Sequence, residues 1–109
     1  QNTHNYEISS LNKDKTLIKE KKISFPIIID CSHGNSFYNY KNQKKVFKYI
    51  FENDILKNYR VIGIMLESNL KKGKQNISDL NLKYGVSITD GCIDFETTKK
   101  LSEFAENLI

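Results

Sequence analysis

The chain has 109 residues and a mass of 12.7 kDa; with 39% apolar and 28% charged residues it has the composition of one folded domain with one core. Its longest apolar runs, residues 25–29 and 61–66, fall far short of the ~20 residues a membrane-spanning helix needs, and residues 1–10 lack the basic-then-apolar layout of a secretory signal. The net charge of +4 rests on Lys, Arg60 being the only Arg, so the bidentate Arg forks that dominate nucleic-acid recognition are missing and no nucleic-acid partner is expected. Lys, Asn and Ile are all abundant while Ala105 is the only Ala, the mark of an AT-rich coding bias. Two cysteines, Cys31 and Cys92, are too few for a disulfide scaffold and point to a reducing compartment, the cytoplasm.

Taken in chain order, residues 10–22 carry Leu11, Leu17 and Ile18 among lysines and read as a surface helix. Residues 25–29 are apolar on both faces and β-branched, as a buried parallel strand would be, with Pro26 at the start where a strand accepts it. Over residues 40–53, Gln43, Val46, Phe47, Ile50 and Phe51 recur at spacings of three and four, which predicts a second helix. Residues 60–66 form a second continuous apolar run. A long loop follows, and then Leu101, Phe104, Ala105 and Leu108 give the stripe of a last helix with Asp94 upstream as its N-cap. This order predicts parallel strands with helices packed outside, an α/β fold. Two parallel strands cannot form a sheet buried on both faces, so either the chain oligomerises or it is a piece of a larger α/β protein; the second is the expectation.

Three polar clusters lie just past the C-terminal ends of the apolar runs: residues 30–36, residues 67–69 and the loop 84–92. That end of the strands carries the working residues in parallel α/β folds. His33, Glu67 and Asp90, one imidazole and two carboxylates from three successive segments, are candidates to converge on one divalent cation. Each also has a plain structural role open to it. His33 can be a turn residue capping the next helix, Asp90 can bond its own loop, and Glu67 at a buried strand end needs a partner of some kind. Cys31 and Cys92 receive no catalytic role, a small buried thiol being the commoner case.

The strings "IIIDCSHGNS" (27–36), "VIGIMLESNLKKGKQ" (61–75) and "LKYGVSITDGCIDFETT" (82–98) resemble, in order and spacing, the C-terminal third of the class I 3-deoxy-D-arabino-heptulosonate 7-phosphate (DAHP) synthases. The resemblance implies that residues 1–109 are the C-terminal segment of a single (β/α)8 TIM barrel domain: its last two strands with flanking helices and no separate second domain. It implies an enzyme, a transferase, that condenses phosphoenolpyruvate with erythrose 4-phosphate to give DAHP and phosphate, the first step of the shikimate pathway to chorismate and the aromatic amino acids. It implies metal binding by His33, Glu67 and Asp90, catalytic through a divalent Mn, Fe, Co or Zn ion. As a ligand His33 must be neutral, so activity is expected to fall as pH drops through its titration. It further implies a cytoplasmic homo-oligomer, dimer or tetramer, of the intact protein.

The family's metal-binding Cys, in a "GPCS" stretch, and its "KPRT" phosphate clamp lie in the N-terminal part of the barrel; nothing here matches them, and by motif Cys31 is not that Cys. Smaller departures are His4 in place of a frequent Pro, Lys74 in place of a usual Asn, and a short loop over residues 76–82. Without the N-terminal part, the segment is expected to be inactive. The alternative reading is a non-catalytic remnant or a stand-alone divalent-metal-binding α/β module.

Overall fold

Three consecutive isoleucines suit a pleated strand better than a helix, because β-branched side chains are stiff at χ1 and crowd a helical turn. The computed structural model describes residues 4–21 and 25–109, and in it this run forms strand β1 (Ile27–Asp30). Phe25 and Pro26 precede the ladder rather than joining it. The second apolar run forms β2 (Val61–Met65), paired parallel to β1 in the register Ile28↔Gly63, Ile29↔Ile64 and Asp30↔Met65, with one irregularity after Ile27. The ladder continues past both ends, through Ile27 N–H to the Arg60 carbonyl (2.6 Å) and Cys31 N–H to the Met65 carbonyl (2.9 Å).

The helices sit where the apolar spacing places them. Helix α1 (Ile8–Glu20) begins two residues before the predicted 10–22 span, whose end at Lys22 lies outside the described residues. The predicted 40–53 helix is a 3₁₀ turn (Tyr40–Asn42), capped by the Asn39 side chain on the Lys41 N–H (3.1 Å), running into α2 (Gln43–Glu52). A one-turn helix, α3 (Ile55–Asn58), then leads to β2. Two further strands, β3 (Ser68–Asn69) and β4 (Ile93–Asp94), pair in parallel; a two-residue pairing has no periodicity by which a sequence can announce it. Helix α4 (Phe95–Leu108) follows directly, and Asp94 is its N-cap, its carboxylate accepting the Thr97 N–H (2.8 Å).

One face of the β1–β2 ladder builds the core: Ile29 and Val61 meet Val46 and Ile50 of α2 and Leu101 and Ala105 of α4. Burying each of the Ile, Val and Leu side chains among these stabilises the fold by about 1.5–3 kcal/mol over its exposed state. The other face is bare, Ile28 being 65% and Ile62 70% exposed. The expectation of strands buried on both faces therefore holds for one face only, since no second layer among the described residues covers the other. With its parallel strands and packed helices the chain is a small α/β unit. Both β1 and β2 run toward the same end, where residues 30–36 and Glu67 emerge.

Candidate metal centre

The chain leaves β1 through Asp30 and turns sharply into a 3₁₀ turn (His33–Ser36). His33 adopts φ +49°, a left-handed conformation uncommon outside glycine, and such a conformation costs on the order of 1–3 kcal/mol. A local network holds it there. Asp30 Oδ1 accepts the Ser32 N–H (2.7 Å), Asn35 Nδ2 donates to the Asp30 carbonyl (2.8 Å), and Ser36 Oγ donates to the His33 carbonyl (3.0 Å). The second oxygen of Asp30 takes the Nδ1–H of His33 at 2.8 Å. That bond fixes the tautomer and aims Nε2 away from Asp30.

Nε2 of His33 stands 3.5 Å from Oε1 of Glu67 and 3.7 Å from Oδ2 of Asp90. Glu67 is held from two sides. Ser32 Oγ donates to its Oε2 (2.7 Å), and the wholly buried side-chain amide of Gln43 grips its backbone, accepting the Glu67 N–H (2.8 Å) and donating to its carbonyl (3.1 Å). Asp90 is exposed, on a loop tied down by the Gly73–Cys92 pair of backbone hydrogen bonds (2.9 and 3.1 Å). Tyr40 packs between these loops: a Cβ on Gly91 would come within 2.8 Å of its ring. The three side chains line a cavity of about 550 Å³ with Ser36, Asn39, Tyr40 and Lys74 on its walls.

The structure thus brings all three sequence-predicted residues to one point. One donor atom from each lies within 4.8 Å of the others, and the donor set is one imidazole nitrogen and two carboxylates. Ligand bonds of about 2.0–2.2 Å place two ligands of one ion roughly 3–4 Å apart, so the group fits a divalent cation with little movement. Without a cation, the hydrogen bond to Asp30 is the largest cause holding His33 above the ordinary imidazole range. Glu67 and Asp90 add to it, and partial desolvation opposes.

The two thiols are set apart from this chemistry. Cys31 lies in the core and burial pushes its thiol up to about 12, so it is no thiolate. Cys92 is partly exposed, with Sγ 3.6 Å from the Asp90 carbonyl. Its thiol is also raised, by desolvation first and then by Glu67 and Asp90, against a hydrogen bond from Ser87 that lowers it. Sequence reasoning missed the residues that orient the ligands. Asp30, three positions before His33 at a tight turn, carried a readable signal; Gln43, placed in an apolar stripe, carried none.

A parallel α/β unit brings a His, a Glu and an Asp together beyond the C-terminal ends of β1 and β2, and these three groups could hold a divalent ion. Residues 1–103 match the DAHP synthetase I family, and the chain belongs to it. It is 41% identical over 105 residues to a phospho-2-dehydro-3-deoxyheptonate aldolase of Alternaria alternata, covering 93% of this chain and 28% of that protein. It is 40% identical to the tyrosine-inhibited enzyme of Candida albicans, over 89% of this chain and 28% of that one, and 33% identical to the Tyr-sensitive enzyme of Escherichia coli, with the same coverage. The solved phospho-2-dehydro-3-deoxyheptonate aldolase of Francisella tularensis overlays with a TM-score of 0.86 at 38% identity, over 95% of this chain and 30% of that one. The chain spans about 28% of the length of these curated relatives.

Proposed function

We propose that residues 1–109 are the C-terminal segment of a single (β/α)8 barrel domain and that the whole protein is a metal-dependent DAHP synthase. The observation that carries this is the meeting of His33, Glu67 and Asp90 at the strand ends of a chain belonging to that family. The parallel β1–β2 pairing and the bare sheet face support the barrel. The reaction joins C3 of phosphoenolpyruvate to the aldehyde carbon of erythrose 4-phosphate, while water adds to C2 and phosphate leaves.

In this reading His33, Glu67 and Asp90 hold the divalent ion (Mn, Fe, Co or Zn), which when bound supplies Lewis-acid polarisation and a site for water. The chain's own residues do the positioning. Asp30 keeps Nε2 of His33 free to ligate, Ser32 and Gln43 fix Glu67 in place, and Tyr40 braces the loop that carries Asp90. The remaining ligand and the phosphate clamps belong to the N-terminal part of the barrel, so the segment alone is inactive. Two free thiols fit work in the reducing cytoplasm, and the intact protein is read as a homo-oligomer.

The test is condensation by the full-length protein, followed as phosphate release, before and after chelation and with Mn(II) restored. Activity lost on chelation and regained with Mn(II), together with loss of Mn(II) binding in His33→Ala, Glu67→Gln and Asp90→Asn, is the expected result. Condensation indifferent to chelation, or Mn(II) binding undisturbed in all three variants, rules the reading out. Metal binding without condensation in the full-length protein would leave the stand-alone metal-binding module.

A further inference from the structure

The segment that leads into α1 reaches the same turn that carries His33, and one buried side chain joins the two. Asn35 Oδ1 accepts the Asn5 N–H at 2.6 Å, across 30 positions of sequence, while Asn35 Nδ2 donates to the Asp30 carbonyl at 2.8 Å. A backbone N–H can only donate and a carbonyl can only accept, so these two partners fix which way the amide points. At 9% exposure, water cannot easily replace either of them.

Other contacts seat the same segment. Tyr6 is buried, with its ring edge-on to that of Tyr49 at 5.3 Å, and the Tyr49 hydroxyl accepts the Ile8 N–H at 3.1 Å. The His4 ring lies 5.1 Å from that of Phe37, at the far end of the His33–Ser36 turn. Asn35 is the contact that leads on to a ligand. From its amide the path runs into Asp30, whose Oδ2 holds Nδ1 of His33 at 2.8 Å.

The strain at His33 gives this path a consequence. A left-handed backbone at φ +49° persists only while its surroundings hold it, so a partner lost from the turn lets the imidazole drift. A cation on His33, Glu67 and Asp90 restrains that turn from one side, and Asn5 restrains it from the other through Asn35. Two restraints on one strained element support each other, and the coupling is reciprocal: what the cation adds to the seating of the segment, the seated segment adds to cation affinity. In the barrel reading residues 4–7 continue from the loop of the preceding strand, at the face where the working residues gather.

We infer that Asn35 is a positioning residue that couples the segment entering α1 to His33, so that cation binding and the seating of residues 4–8 reinforce each other. The inference rests on the metal-dependent reading of the site.

The test uses the full-length protein with and without Mn(II), comparing the parent with Asn35→Ala and Tyr49→Phe. Amide hydrogen exchange over residues 4–8 is read by mass spectrometry, and Mn(II) affinity by electron paramagnetic resonance. In the parent, Mn(II) should slow exchange over this segment. Asn35→Ala should abolish that slowing and weaken Mn(II) about threefold to tenfold, the worth of one or two hydrogen bonds. Tyr49→Phe frees the Ile8 N–H but leaves Asn35 alone, so exchange should be faster overall and still slowed by Mn(II). The parent comparison needs no variant: exchange over residues 4–8 that ignores Mn(II), in a parent that binds it, overturns the inference and leaves the reading of the site intact. An Asn35→Ala protein that keeps either the slowing or the parent's Mn(II) affinity overturns it too. So does a Tyr49→Phe protein that loses the slowing, because general loosening is then the cause. A parent protein that does not bind Mn(II) overturns the reading, and the inference with it.

Discussion

Around His33, one residue does most of the orienting. Asp30 uses one carboxylate oxygen to hold the turn and the other to hold the imidazole Nδ1–H, so a single side chain sets both the strained backbone and the tautomer. Asp30→Asn should lower Mn(II) affinity by about ten- to a hundredfold, the usual cost of losing a carboxylate behind a ligating His. Titration of the Asn variant beside the parent checks this, and equal affinities would remove Asp30 from the site. Gln43 is the second such residue. It is wholly buried with both amide atoms engaged by the Glu67 backbone, so Gln43→Leu leaves a buried N–H and carbonyl short of partners. The expected loss is about 3 kcal/mol of unfolding free energy, measured by urea titration. The two residues also mark how far the site was legible. His33 and Glu67 stood out because each follows an apolar run at the C-terminal end of a parallel strand, and Asp90 because it lies in the polar loop that comes next. Gln43 did not, because its spacing within the helix fits an apolar stripe and only the tertiary approach of α2 to the end of β2 gives its amide a polar task.

At the scale of elements, the three longer helices were legible from spacing, whereas the one-turn α3 and the short strands were not. Leu101 and Ala105 lie buried in the face that α4 turns to the core, while Leu108, on the same stripe at the helix end, is 53% exposed. The turn of β4 into α4 depends on Asp94, whose carboxylate accepts the Thr97 side-chain and backbone hydrogen bonds and is held below the ordinary carboxylate range by them, with Lys72 and Lys100 adding to the effect. The sign follows from linkage. A carboxylate whose value is lower folded than unfolded contributes stability above its unfolded value, near pH 4, and loses it as pH falls through the lower folded value. Asp94→Ala should therefore lower the urea midpoint at pH 6 by more than it does at pH 3. Asp94→Asn keeps a capping oxygen without the charge, and its midpoint should lie between those of the parent and the Ala variant at pH 6. Midpoint differences that do not change between the two pH values would take the charge of Asp94 out of the cap.

The chain is elongated and flat, with principal extents of 54 × 34 × 20 Å. Its accessible surface is 7915 Å², whereas a folded monomer of 12.7 kDa exposes roughly 6,200 Å². Its radius of gyration is 15.9 Å, against about 13 Å for a compact domain of this length. The surplus includes the bare side of the β1–β2 ladder, where Ile28 and Ile62 face outward from strands whose sequence is apolar on both sides. In the barrel reading that face is interior, packed by side chains from the remaining strands. This separates two residues that look alike in the segment. Ile62 is 70% exposed on the sheet, while Leu80 is 99% exposed on the loop after β3. In the full-length protein, Ile62→Asp would replace a buried apolar side chain with a carboxylate lacking a partner, losing about 2 kcal/mol of burial and adding a desolvation cost of several more. Leu80→Asp changes only a solvated loop and should stay within about 0.5 kcal/mol of the parent. Thermal melting of the two full-length variants decides the matter. A large drop in Tm for Ile62→Asp alone is expected, whereas equal, small effects would mean that this face stays open to water and that the segment does not close a barrel.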